Sequence, residues 1–431
     1  MRHFLQPEMA APLLPELGRK LGLEWGPCDG SWLHRRGTTP AGRIDMGENA
    51  LSELKEMIRA RAAELGFALC GFTTSGPPAH KAAYEAWLDA GRHAGMAYLA
   101  TERARSTRVD PRRLMPACQT IIVLGCLYPP PLPPTDDPLG GRVAAYAVGD
   151  DYHDLLPARA RTLAEFIVAQ VGLPLEWRAV SDTAPLLERE IGQRAGLGWI
   201  GKNGMLINPG HGSYFVLAEL LINLELPPDP PFETDRCGSC RRCREACPTQ
   251  CILPDRTLDA SRCVSYLTIE QRGDIPEALR PGIGRWAFGC DICQEVCPWN
   301  VRFAGPAPSS PIAARRHFPL RDLGAELLAD EVALAARFRR SPLRRAKRAG
   351  WKRNLIIALG NSGRPEALPA LERALSDGDL LLRRHAAWAV GQIGGIAAGR
   401  MLREVLEAET DAAMQAELLH ALDHLVRAAP R

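Results

Sequence analysis

No apolar run in the 431-residue sequence reaches the roughly 18 residues that a membrane-crossing helix requires. The longest runs, such as Thr120–Tyr128, have the length of a buried strand. The N-terminus lacks the basic start followed by an apolar stretch that marks a secretory leader. The expected setting is therefore cytoplasmic, with no membrane partner. Charge of one sign is not in excess: 53 basic and 50 acidic residues leave a net +3. That balance gives no general affinity for nucleic acid, although a local basic patch is compatible with it. Cysteine is scarce over most of the chain. Only Cys28, Cys70, Cys118 and Cys126 lie outside residues 237–297. A disulfide framework, which spreads its cysteines through a small secreted chain, is excluded. The composition, 46% hydrophobic and 24% charged, excludes a disordered chain. The length suits about three domains.

What is present is a block of nine cysteines between Cys237 and Cys297. CGSCRRCREACP has the spacing C-x2-C-x2-C-x3-C-P of bacterial ferredoxins. Its short loops bring three thiolates onto one iron–sulfur cube, while the fourth cysteine, before proline, ligates a second cube. The second cube finds its other ligands in Cys263 and in CDICQEVCP. By this logic Cys237, Cys240, Cys243 and Cys297 hold one [4Fe–4S] cluster. Cys247, Cys263, Cys290 and Cys293 hold the other, and Cys251 is left as a small core residue. A tetrahedral zinc site does not account for the run and its second copy. Cys263 precedes Cys290 by 27 residues, far more than a compact ferredoxin needs, so the insertion is either a plain loop or, the sharper reading, one that contacts a cofactor beside the second cluster.

The remainder divides by texture. Residues 1–50 are irregular, rich in Pro, Gly and Arg, and form an extension with no assigned role. Helical spacing begins near Leu51. Strand-like runs at Thr120–Tyr128 and Ser213–Asn223 alternate with helices expected at 151–168 and 184–195, which gives an α/β or α+β domain over 51–226. Residues 227–305 form the ferredoxin-type domain. Residues 306–431 are Ala/Leu/Arg-rich helix. There Arg353, Ala358, Gly360 and Gly363 recur 31 residues later as Arg384, Ala389, Gly391 and Gly394, a period that resembles HEAT repeats. The plain alternative is a helical pair that caps the domain. The overall class is α+β with a helical tail. Between Arg337 and Arg353 nine residues are Lys or Arg and none is acidic, a density that suits a phosphate footprint or a solvated helix face.

Several segments together resemble the epoxyqueuosine reductase family. They are TRVDPRRLMPACQTIIVLGCLYP, DYHDLL, SDTAPLLEREIGQRAGLGWIGKNGMLINPGHGSYF, CVSYLTIEQRG between the two cysteine runs, and the HEAT-like tail. The likeness covers roughly Leu51 to the C-terminus, and their order is more specific than any one segment. It implies an α/β cobalamin-binding domain ahead of the clusters. It also implies reduction of the epoxide of epoxyqueuosine, at the wobble position of a tRNA anticodon loop, to the alkene of queuosine. Cobalamin joins the two clusters as cofactor, and tRNA and a reduced donor such as flavodoxin or ferredoxin are the partners of a monomeric enzyme.

The resemblance makes Asp182 the proton donor, provided that apolar burial raises its pKa. The residues alone would make Asp182 a helix N-cap, and the two roles are compatible. Arg108, Asp182, Lys202, Asn203, Ser265 and Arg272 become cobalamin contacts by the same resemblance, with Tyr266 beside them. Tyr152 and His153 face the site, although a lone histidine is more often structural. Cobalamin has no independent motif here: DYHDLL lacks the glycine of D-x-H-x-x-G, so His153 is not expected as a lower ligand. Two other classes share features with the sequence. A corrinoid reductive dehalogenase would carry an export leader and no repeats. A ferredoxin module on a repeat scaffold would not need the long N-terminal domain.

Overall fold

The computed structural model describes residues 23–25, 32–34, 47–307 and 310–428. The chain divides into two compact units, Met1–Met46 and Gly47–Arg431. In the first, Leu23–Trp25 pairs antiparallel with Trp32–His34. The rest of the extension read from the sequence lies outside the described residues, apart from 47–50.

The second unit opens with helix α1 (Glu48–Glu64), which buries Leu54, Ile58 and Ala62 at helical spacing. Its sheet has four strands: β1 (Leu69–Thr74), β2 (Thr120–Leu127), β3 (Trp177–Val180) and β4 (Phe215–Ile222), in the order β1-β2-β4-β3. Every pairing is antiparallel. β2 and β4 are buried along both faces and largely apolar, with Glu219 of β4 the charged exception, because both faces are covered. One face, carrying Val123, Val180, Leu217 and Leu221, meets Ile191 of α3 (Glu188–Arg194). Helix α2 (Tyr152–Val171) packs along β3 and β4. Asp151 caps α2 by accepting from the His153 backbone N–H, and Gly172 closes it at φ 69°. The sequence placed a helix from Ala184; the chain instead runs irregularly through Asp182 to Leu187, and α3 starts at Glu188 without a side-chain cap. Asp182 is therefore not an N-cap. It stands in a turn at φ 55°, a left-handed conformation that non-glycine residues rarely hold.

The insertion between the cysteine runs buries Val264, Leu267, Ile275, Ile283 and Phe288 against the C-terminal helices. Those helices are α4 (Lys347–Ser362), α5 (Leu368–Leu375), α6 (Leu380–Ile393), α7 (Gly395–Ala408) and α8 (Ala412–Ala428). The 31-residue echo marks where they cross. A Cβ on Gly360 would stand 2.8 Å from Ala389 of α6, and one on Gly391 would stand 3.0 Å from Ala421 of α8. Arg353 and Arg384, the other repeated pair, both reach into the insertion. Arg353, fully buried, donates to the carbonyls of Leu267, Gln271 and Gly273. Arg384 pairs with Asp274 and Glu417. Arg353 thus leaves the phosphate footprint expected over 337–353, because its guanidinium is spent on backbone acceptors inside the core.

Candidate functional site

Three cavities open in series. The first, about 490 Å³, is walled by Cys237, Cys240, Cys243 and Cys297, with Trp299 and Phe303. The second, about 330 Å³, is walled by Cys247, Cys251, Cys263, Cys290 and Cys293. The third, about 530 Å³, holds Arg108, Asp182 and Glu188. Asn203 borders the first and second, while Tyr152, Met205, Phe215, Val216 and Leu258 border the second and third.

Local chain geometry makes the cysteine walls. The N–H of Cys240 turns back to the carbonyl of Cys237 at 3.0 Å. Cys297 stands at the N-terminus of helix Pro298–Phe303, where proline fits the first helical position. Trp199 Nε1 points at Cys237 Sγ from 3.5 Å, and its ring packs on Phe232 and Trp299. All twelve described cysteines are free thiols. Among the described residues no three His, Cys, Asp or Glu side chains converge as one metal ion requires. A cube, which gives each thiolate its own iron, needs wider spacing. Cys251, read from the sequence as core filler, is buried but lies on the second cavity's wall, with Sγ 3.5 Å from Cys247 Sγ.

The other expected cofactor contacts separate. Asn203 is buried on the wall shared by the first and second cavities, and its Nδ2 has no partner among the described residues, an orphaned donor that fits an amide-bearing macrocycle. The apolar walls Met205, Phe215, Val216 and Leu258 suit the same flat ring. Ser265 lines the second cavity and Arg108 the third, where its guanidinium lies 6.0 Å from the Tyr84 ring. Lys202 lines the first cavity, and Arg272 lines none of the three. The Lys202 ammonium donates to the carbonyls of Gly238 and Cys240 and so clamps the first cysteine loop. Arg272 donates to the carbonyls of Ile269 and Arg345, outside all three cavities. Tyr266 is buried between Gly95 N–H and Gln271.

Asp182 sits at the centre of a polar network. Tyr152 donates its hydroxyl to Oδ2 at 3.0 Å, His153 Nε2 stands 3.1 Å away and Arg345 Nη1 3.4 Å away. His153 Nδ1 meets Asp151 at 2.6 Å. Burial pushes the Asp182 pKa up, but His153, Arg345 and Tyr152 outweigh it and hold the carboxyl below its ordinary value. Burial lowers the His153 pKa, but Asp151 and Asp182 outweigh it and raise that value to about 9. The proton expected on a desolvated Asp182 therefore rests on His153. Sequence reasoning placed His153 facing the site without giving it a role, and read Arg345 only as part of a basic run. It also passed over Glu188 and Glu219. Glu219 is completely buried in the middle of β4, a carboxylate inside an otherwise apolar strand, and that interruption is its signal in the sequence.

Comparison with known proteins identifies the family. A family model described as epoxyqueuosine reductase QueG matches residues 108–183, a 4Fe-4S double cluster binding domain matches 236–300, and HEAT repeats match 343–423. The epoxyqueuosine reductase of Pseudomonas aeruginosa is 40% identical over 350 residues, 80% of this chain and 95% of that protein. The Escherichia coli enzyme is 38% identical over 348 residues, 79% of this chain and 90% of its own. A crystal structure of epoxyqueuosine reductase with an epoxyqueuosine-modified tRNA stem loop superposes with a TM-score of 0.79 at 30% identity, covering 87% of this chain and all of that one. The Streptococcus thermophilus structure gives 0.76 at 29% identity, over 86% of this chain and 98% of its own. Two [4Fe–4S] clusters and cobalamin are the cofactors that accompany these matches. With this identity over most of its length, the chain belongs to the epoxyqueuosine reductase family of oxidoreductases.

Proposed function

We propose that the protein reduces the epoxide of epoxyqueuosine in a tRNA anticodon loop to the alkene of queuosine, with Asp182 delivering a proton to the departing oxygen. The observation that carries this reading is the series of cavities: two walled by cysteines lead to a third that ends at Asp182. Cys237, Cys240, Cys243 and Cys297 hold one cluster, and Cys247, Cys263, Cys290 and Cys293 the other. Arg108, Asn203 and Ser265 are the cobalamin contacts, and bound cobalamin supplies low-potential reducing power at the epoxide carbon.

The protein's own part is proton handling and orientation. Loss of the epoxide oxygen as water takes two electrons and two protons. Asp182, ionised at neutral pH, passes on the proton held by His153 as negative charge develops on the oxygen. Arg345 and Tyr152 hold the carboxylate in place, and Asp151 holds the imidazole. Exposed Arg339, Arg340 and Lys347 offer phosphate contacts beside Arg345. The modified base turns out of its stack to reach the cavity. A flavodoxin- or ferredoxin-type donor suits one-electron entry at the clusters. One chain carries all three cavities, which suits a monomer, and free thiols throughout suit a reducing cytoplasm. Anaerobic turnover of an epoxyqueuosine stem loop by the reconstituted protein tests the reading: queuosine should form with the wild type, and absence of product from protein loaded with both clusters and cobalamin would refute it.

A further inference from the structure

Two protons are consumed per epoxide, and the Asp182 network accounts for one, on His153. The search for the second leads beneath Asp182. The Asp182 backbone N–H donates to Glu188 Oε1 at 2.6 Å. Behind Glu188 lies Glu219, fully buried, level on the sheet with Val123 and Val180. Its strand neighbours on that side, Leu217 and Leu221, are core residues. Neither Glu219 oxygen meets an N–H or O–H donor from any described residue. Its polar neighbour is the Glu188 carboxyl; burial, and then this neighbour's proximity, raises the Glu219 pKa. Two carboxylates cannot bond each other, and a fully buried carboxylate with no donor, as Glu219 would be, is strongly disfavoured beside the partly buried Glu188. One proton must lie between them.

We propose that the Glu188–Glu219 carboxyl pair stores the second proton of the reaction and refills Asp182 after its first donation. The inference rests on Asp182 being the proton donor. The transfer moves one proton and no electrons: an O–H bond of the pair breaks, an O–H bond forms on the Asp182 carboxylate through water in the third cavity, and solvent later reprotonates the pair. Glu188 and Asp182 line that cavity together. Burial, then the charge of Asp182, raises the Glu188 pKa to about 7, and burial and Glu188 raise that of Glu219 well above its ordinary value. The charged groups facing the pair are Asp182 and Arg189, with His153 and Arg345 beyond Asp182. Arg189 faces the pair as a cation that partly offsets the rise at Glu188, and its guanidinium donates to the Gly204 carbonyl. Glu188 and Glu219 touch no substrate in this scheme; they act through Asp182.

The test begins with infrared spectra of the wild-type holoenzyme in H2O and D2O at neutral pH. A protonated-carboxyl C=O band should be present, persist in Asp182→Asn and vanish in Glu219→Gln, a variant of the same shape whose amide can still donate to Glu188. In turnover of the stem loop, Glu219→Gln should slow kcat on the order of 100-fold. The alkaline limb of its pH–rate profile should fall from dependence on about two protons to about one. Cluster and cobalamin content should be unchanged. A band that survives Glu219→Gln, or a Glu219→Gln enzyme with wild-type rate and pH profile, overturns the proposal while leaving Asp182 as donor. Full turnover by Asp182→Asn instead overturns the Asp182 reading, and the band still reports on the pair.

Discussion

His153 Nε2 lies 3.1 Å from Asp182 Oδ2, while its other ring nitrogen is held by Asp151 at 2.6 Å. The two residues come from different elements, the first turn of α2 and the irregular segment after β3, and together they hold one proton. An aspartate flanked by an imidazolium and a guanidinium is a weak proton holder by itself. It becomes a useful donor because the proton it passes on is stored one bond away.

Replacing Asp182 by Asn should lower kcat by roughly 100- to 10,000-fold. Iron content, cobalamin content and stem-loop affinity should stay near wild type. Single-turnover product analysis with metal and corrin assays reads each quantity separately. Full turnover with intact cofactors would remove Asp182 from the mechanism.

His153 should tie stability to pH. Its folded pKa, about 9, lies above the ordinary value of about 6.5. The stabilisation is therefore fully present below about pH 6.5 and is lost as pH rises through about 9. Its size is on the order of 3 kcal/mol. Denaturant unfolding at pH 6 and pH 10 should show the wild type losing this increment and His153→Gln not losing it.

The cysteine quartets predict iron stoichiometry. Cys237→Ala should remove one cluster, leaving about four of roughly eight irons, and Cys290→Ala should remove the other. Cys251→Ala should keep both. Iron analysis after anaerobic reconstitution decides, and loss of iron from the Cys251 variant would reassign the second quartet.

Two sets of arginines in the same basic run should behave differently. Arg339→Ala and Arg340→Ala should each weaken stem-loop binding and shallow its salt dependence by about one ion. Arg353→Ala should instead destabilise the fold by about 3 kcal/mol or more, since it empties a fully buried site and strips donors from three backbone carbonyls, one of them buried. Binding titrations at several salt concentrations and thermal melts separate the two effects.

Local spacing carried much of this protein into view. C-x2-C-x2-C-x3-C-P needs only short loops to gather thiols, and the thiols of that run line the observed cavities. The 31-residue echo is equally local, because helix length and turn chemistry repeat with it. Gly360 and Gly391 show why: each is the place where the matching helix one repeat further on passes too close for a side chain.

What the sequence determined by itself was the chemistry that short-range spacing expresses: a double iron–sulfur domain, helical repeats and a segment carrying Asp182. What only the tertiary structure decided was which distant groups share a proton or a carbonyl. Arg345 meets Asp182 across 163 residues, and Arg353 meets Leu267 across 86. Glu188 and Glu219 come together only because β4 lies beneath the turn after β3. A pKa depends on which charges the fold brings within a few ångströms and on how much water it leaves there. Neither quantity has a period along the chain.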